Sequence, residues 1–90
     1  AGRAAEAIGL HERTLADMER TLGFEHPRVA MALGNLGIVQ RRLGKPKDAC
    51  ASLKRALTIF QASYGLDHPE VAKTLVNLGV VQLQLGKLAS

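Results

Sequence analysis

The chain has 90 residues, 47% of them apolar, with a net charge of +4 and one cysteine. That length allows at most one small domain, and the apolar share is ample for a core. A lone thiol, Cys50, excludes an internal disulfide and fits a reducing compartment, so a cytoplasmic location is expected. No apolar run approaches the roughly 18 residues of a membrane span, because Asn77, Gln82 and Gln84 interrupt the longest one. The chain opens at Ala1 without an initiator methionine or a signal-peptide pattern, and so reads as a piece of a longer protein.

Apolar residues recur at helical spacing along the chain. Over 3–22 the stripe is Ala4, Ala7, Ile8, Leu15, Met18 and Leu22, interrupted by His11 and Thr14. A second helix is expected over 27–43. Pro27 suits its first turn, Glu25-His26 supply local acceptors, and Val29, Leu33, Leu36, Gln40 and Leu43 form its stripe beside Ala30 and Gly37. Leu43-Gly44-Lys45 reads as its stop, with the glycine in a left-handed conformation. A third helix over 46–64 carries Ala49, Leu53, Ala56, Leu57, Phe60 and Tyr64. The fourth, over 69–85, starts at Pro69 after Asp67-His68. Its expected stripe is Val71, Leu75, Leu78, Gln82 and Leu85, beside Ala72 and Gly79, and it stops at Leu85-Gly86-Lys87. Connections this short make sequential helices antiparallel neighbours. The fold class is all-α.

Part of this order repeats at an interval of 42 residues. Gly23-Phe-Glu-His-Pro-Arg-Val-Ala returns as Gly65-Leu-Asp-His-Pro-Glu-Val-Ala, and Leu33-Gly-Asn-Leu-Gly returns as Leu75-Val-Asn-Leu-Gly. From 23 to 45, fourteen of 23 positions are identical to their partners. A period of this size signals stacked helical units that bury their apolar faces against neighbours. Gly37 and Gly79 each cost about 1 kcal/mol relative to alanine inside a helix. Close helix approach, with Ala49 and Ala56 on the opposite side, accounts for them. Gly9 and Gly34 have no such account.

These residues resemble the tetratricopeptide repeat family. Leu33, Leu36-Gly37, Gln40, Gly44, Ala49, Leu53, Ala56 and Leu57 occupy its helix-turn-helix pattern, and Leu75, Leu78-Gly79, Gln82 and Gly86 open the next copy. Gly2, Ala7 and Leu15 supply only the second-helix half of the preceding one. The chain departs from the family pattern in three ways. Leucine stands for the family's tryptophan, glutamine for its tyrosine, and eight extra residues lengthen the unit. The 42-residue period and the Gly-x-acid-His-Pro-x-Val-Ala signature look like the kinesin-light-chain type of repeat. The resemblance implies an α-solenoid of four helices: 1–22 the second helix of a preceding repeat, 27–64 one full repeat, 69–85 the first helix of the next, and 86–90 the start of a further helix. The two end helices then lack hairpin partners, which favours self-association.

The resemblance also implies a non-catalytic module that binds a peptide or protein in a concave groove. Asn35 and Asn77, equivalent in the two copies, would hold the backbone of an extended partner, since an amide offers both a donor and an acceptor. Met31, Gly34, Ile38, Arg41 and Arg42 would line the groove in one repeat, and Lys73, Val76, Val80, Leu83 and Gln84 in the next. The bland alternative makes the asparagines exposed amides, caps, or ties between adjacent repeats. The function expected as the alternative is a structural spacer or self-association element of a larger scaffold or signalling protein.

Residues 41–55 carry Arg41, Arg42, Lys45, Lys47, Lys54 and Arg55 against Asp48 alone. This is either a solvated face with cations at a helix C-terminus, or a partner surface for an acidic segment with Arg41, Arg42 and Lys73 as groove cations. No aromatic platform accompanies the charge, so nucleic acid is not expected. His26 and His68 precede prolines in different repeats and read as turn residues, with no further ligand at metal-binding spacing. His11 and Cys50 stand at no informative spacing, and Cys50 reads as a buried inert thiol. Nothing points to a catalytic centre, cofactor or metal.

Overall fold

The computed structural model describes residues 2–89, with side chains at Arg3 and over 5–86. Four helices follow in order: α1 (Gly2–Leu22), α2 (Pro27–Arg42), α3 (Pro46–Tyr64) and α4 (Pro69–Ala89). Gly2, Ala4 and Lys87–Ser90, which the repeat pattern also invokes, have side chains outside those described.

The turns explain where helices begin. Proline leads α2, α3 and α4, where its missing N–H forfeits no helical bond. The His26 Nδ1 accepts from the Arg28 N–H at 3.0 Å, and the His68 Nδ1 accepts from the Glu70 N–H at 3.1 Å. The imidazole, rather than the neighbouring acid, therefore caps each helix. At the end of α2, Gly44 takes φ +76°, the Lys45 N–H reaches the Gln40 carbonyl at 2.8 Å, and the Gly44 N–H reaches Arg41 at 3.2 Å. This pair of bonds satisfies carbonyls that the helix end leaves open.

Each helix packs on its sequence neighbours, and α2 also touches α4. One core cluster joins Val29, Ala30 and Leu33 of α2 to Ala56, Ile59 and Phe60 of α3 and Val71 of α4. A second joins Ala49 and Leu53 of α3 to Leu78 and Val81 of α4. Leu53 is fully buried, a contribution of about 1.5–3 kcal/mol for a side chain of this size. Its seat depends on Gly37, where an added Cβ would lie 2.9 Å from the Leu53 Cγ. Deeper in the same seam, the Ser52 hydroxyl donates to the Gln40 Oε1 at 2.8 Å, so the glutamine that interrupts the apolar stripe is buried with a partner.

The repeat pattern misplaces one face. α2 buries a broad face, Val29, Ala30, Leu33, Leu36, Gly37 and Gln40, with Gly37 against Leu53 and Gln40 bonded to Ser52 of α3. α4 buries only the stripe Val71, Thr74, Leu78 and Val81, while Ala72, Leu75, Gly79 and Gln82 are exposed. Sequence identity carried Leu75 and Gln82 into the expected core, but burial needs a covering helix, and α2 and α3, the described helices that touch α4, leave this face open. For the same reason a Cβ at Gly79 meets nothing within 4 Å, so close approach does not explain this glycine. Nor does Gly86 stop its helix as Gly44 does: α4 continues to Ala89, past the expected end at residue 85.

Arg55 departs from the solvated basic face. It pairs with Glu19 of α1, donates to the Phe24 carbonyl at 3.3 Å and stands 5.7 Å from the Phe24 ring centroid. This one side chain ties α3 back to the α1–α2 turn, covering the exposed Phe24 through a cation–π contact.

Candidate functional site

Two clefts open along one side of the helices. The first lies between α1 and α2 and is lined by His11, Thr14, Met18, Arg28, Met31, Ala32 and Asn35. The second is floored by Leu53 and Phe60 of α3. Its walls are Met31, Gly34, Asn35 and Ile38 of α2 and Glu70, Lys73, Thr74 and Asn77 of α4. It admits about 80 Å³ of solvent, too little for a small-molecule pocket of roughly 300 Å³ or more but enough to seat a side chain.

The clefts are one site repeated. Shifting the first by 42 residues turns His11, Met18, Arg28, Met31, Ala32 and Asn35 into Leu53, Phe60, Glu70, Lys73, Thr74 and Asn77, all of which line the second. Of these six pairs only the asparagines keep their residue type. Asn35 lines both clefts, and Asn77 lines the second. Among the described residues neither side-chain amide has a hydrogen-bond partner. They are therefore not internal ties between units, and each leaves a donor and an acceptor available.

Charge in the clefts is mixed. Arg28 enters the first, while Glu70 and Lys73 enter the second, and none of them forms an ion pair among the described residues. A glycine has a use here as well. No atom would meet a Cβ at Gly34, so its bare backbone widens the wall beside Asn35.

Of the residues expected to bind a partner, the structure brings Asn35, Asn77, Ile38 and Lys73 into one cleft. Arg41, Arg42, Val76 and Val80 lie outside it. Val76 and Val80 are the counterparts of Gly34 and Ile38, which face α4 across the cleft. Among the described residues no helix packs on that side of α4, and the two valines are exposed there. Arg41 and Arg42 fall in the last turn of α2, past the cleft, and form no ion pair among the described residues. Arg28, Glu70 and Thr74 were missed as lining residues. Their positions follow from Asn35 and Asn77 by helical spacing of three and seven residues, a signal available in the sequence.

His26 and His68 are engaged as caps, and the described residues contain no group of three or more His, Cys, Asp or Glu able to hold a metal ion. Cys50 is half-buried against the second core cluster. No described helix is long and apolar enough to cross a membrane.

The tetratricopeptide repeat pattern matches residues 1–58 and again 41–90, spanning the whole chain in two overlapping copies. The chain belongs to the tetratricopeptide repeat family. No curated protein matches it. Tetratricopeptide repeats generally mediate protein–protein interactions, and the family is typically non-catalytic. The first cleft lies between α1 and α2 and the second between α2 and α4 over α3, with α2 as their shared wall.

Proposed function

We propose that this tetratricopeptide array is a peptide- or protein-binding module of the kinesin-light-chain type, with 27–64 as one full repeat between two half repeats. An extended partner segment lies along the two clefts, and Asn35 and Asn77 hydrogen-bond its backbone. The single observation that carries this reading is the pair of unpartnered asparagine amides at equivalent positions in one cleft. A peptide backbone exposes a donor and an acceptor at each residue, which an amide matches on both counts.

Side-chain selection falls to the rest of the lining. Ile38 and Met31 offer apolar contact, and Lys73 offers charge to an acidic residue, with Glu70 close by to favour a mixed sequence over a purely acidic one. Arg41 and Arg42 add cations beyond the cleft end, and Val76 and Val80 extend the apolar surface along the open edge of α4. A location in the cytoplasm accords with the single free thiol.

The test is to select binders from a displayed peptide library and map the best one by NMR. Shifts are expected at 31–38 and 70–77. Shifts confined to the outer face of α3, around Lys47, Lys54 and Thr58, would contradict groove binding.

The alternative function, a spacer or self-association element, draws on one observation: α4 exposes Leu75, Val76, Val80 and Leu83. Light scattering over a concentration series separates the two, since a spacer that self-assembles grows in mass without any peptide.

A further inference from the structure

We propose that the turn between α2 and α3 is a second docking surface, separate from the clefts, that takes an acidic protein segment on Arg41, Arg42, Lys45 and Lys47. From Arg41 to Lys47 the chain places four cations in seven residues with no acid among them. Arg42, Lys45 and Lys47 are exposed and Arg41 is half-buried. None of the four side chains forms a hydrogen bond or an ion pair among the described residues. Arg20 and Arg55, by contrast, are paired with Asp17 and Glu19.

The fold does not require this charge. Cations at a helix C-terminus ordinarily answer its open carbonyls. Here the backbone answers three of them: the Leu43 N–H donates to Val39 at 3.0 Å, the Gly44 N–H to Arg41 at 3.2 Å and the Lys45 N–H to Gln40 at 2.8 Å. The repeat separates the structural cation from the others. Gly44-Lys45 corresponds to Gly2-Arg3 before it and Gly86-Lys87 after it, so this position is basic in each copy. Arg41, Arg42 and Lys47 correspond instead to Leu83, Gln84 and Ala89, and Lys47 also to Ala5. Those three cations are peculiar to this turn, which lies mid-chain between two helices packed on each other.

The occupant is a protein segment rather than a nucleic acid or a membrane. Single-stranded nucleic acid is held by cations together with aromatic platforms. The exposed aromatics Phe24 and Tyr64 lie at the opposite end of α2 and α3 from this turn. Leu43 is the one large apolar residue between the cations and is 37% exposed, too little apolar surface to anchor the turn in a bilayer interface. An acidic segment satisfies both features: carboxylates meet the four cations, and an apolar side chain covers Leu43.

The probe is the synthetic peptide Glu-Glu-Leu-Glu-Glu, titrated into the isotope-labelled chain at low salt. Saturable chemical-shift changes are expected at 41–47. Arg41→Gln, Arg42→Gln and Lys47→Ala together are expected to weaken binding about tenfold, the loss of three exposed ion pairs. The fold tolerates such residues, since the repeat holds Gln84 and Ala89 at the corresponding places. Lys54→Ala, outside the turn, should leave the affinity unchanged. A comparable loss in Lys54→Ala would overturn the proposal, because the peptide would then be reading net charge alone. Shifts at 31–38 and 70–77 in place of 41–47 would overturn it by putting the acid in the clefts. So would the absence of saturable shifts. Tighter binding at 41–47 by a DNA duplex or by phosphatidylserine vesicles than by the peptide would also overturn it, by assigning the turn to a phosphate-bearing partner.

Discussion

Gly37 lies so near Leu53 that a methyl on its Cα would stand 2.9 Å from the Leu53 Cγ and 3.4 Å from the Ala49 carbonyl oxygen. The α2–α3 seam is set by this contact. Gly37→Ala is expected to destabilise the chain by about 1–3 kcal/mol, since overpacking outweighs the gain in helix propensity. Urea unfolding followed by circular dichroism measures it.

Gly34 and Gly79 sit in helices with open space at the Cβ position. Alanine at either is expected to stabilise the chain, by up to about 1 kcal/mol, through helix propensity alone. The contrast with Gly37 is the sensitive part. Three glycine-to-alanine substitutions on two equivalent helices should split in sign by environment, and a uniform response would mean that the Gly37 contact does not govern the seam.

The Gln40–Ser52 bond is buried, with each residue less than a tenth exposed. Ser52→Ala leaves the Gln40 oxygen without its donor and is expected to cost about 1–3 kcal/mol. Pairing Ser52→Ala with Gln40→Leu removes both polar groups, and the double variant should recover much of that loss. Additive losses in the double-mutant cycle would contradict the pairing.

His26 and His68 cap α2 and α4 through Nδ1. His26→Ala is expected to cost about 1 kcal/mol, and His26→Asn to retain most of the stability because asparagine also caps. His68→Ala should cost more than His26→Ala. Its ring also stacks on Tyr64, with centroids 4.2 Å apart, and Tyr64 in turn stacks on Phe60. Thermal melts of the two variants side by side make the comparison.

Much of this fold was legible in the chain because its signals are local. Proline at helix starts, Gly44 after α2 and the apolar spacing locate the helices to within a residue or so, apart from the end of α4. The asparagine positions were legible as well, since a 42-residue identity places Asn35 and Asn77 on equivalent surfaces. What the sequence hides is which faces are covered. Leu75 and Gln82 have the same residue types as Leu33 and Gln40, yet burial follows the neighbouring helix and not the side chain. The role of Arg55 is hidden for a related reason: Phe24 lies 31 residues away, beyond any helical spacing. Val76 and Val80 stand apart from the cleft because, among the described residues, the helices that touch α4 lie on its other side.

The central claim is that Asn35 and Asn77 hold a partner's backbone, and the most direct measurement is calorimetric titration of a library-selected peptide into Asn35→Ala/Asn77→Ala. Two lost backbone hydrogen bonds of about 1 kcal/mol each imply a loss of affinity of tenfold or more. Thermal stability should hold, because neither amide has a hydrogen-bond partner among the described residues. Unchanged affinity in a folded double variant would contradict the claim.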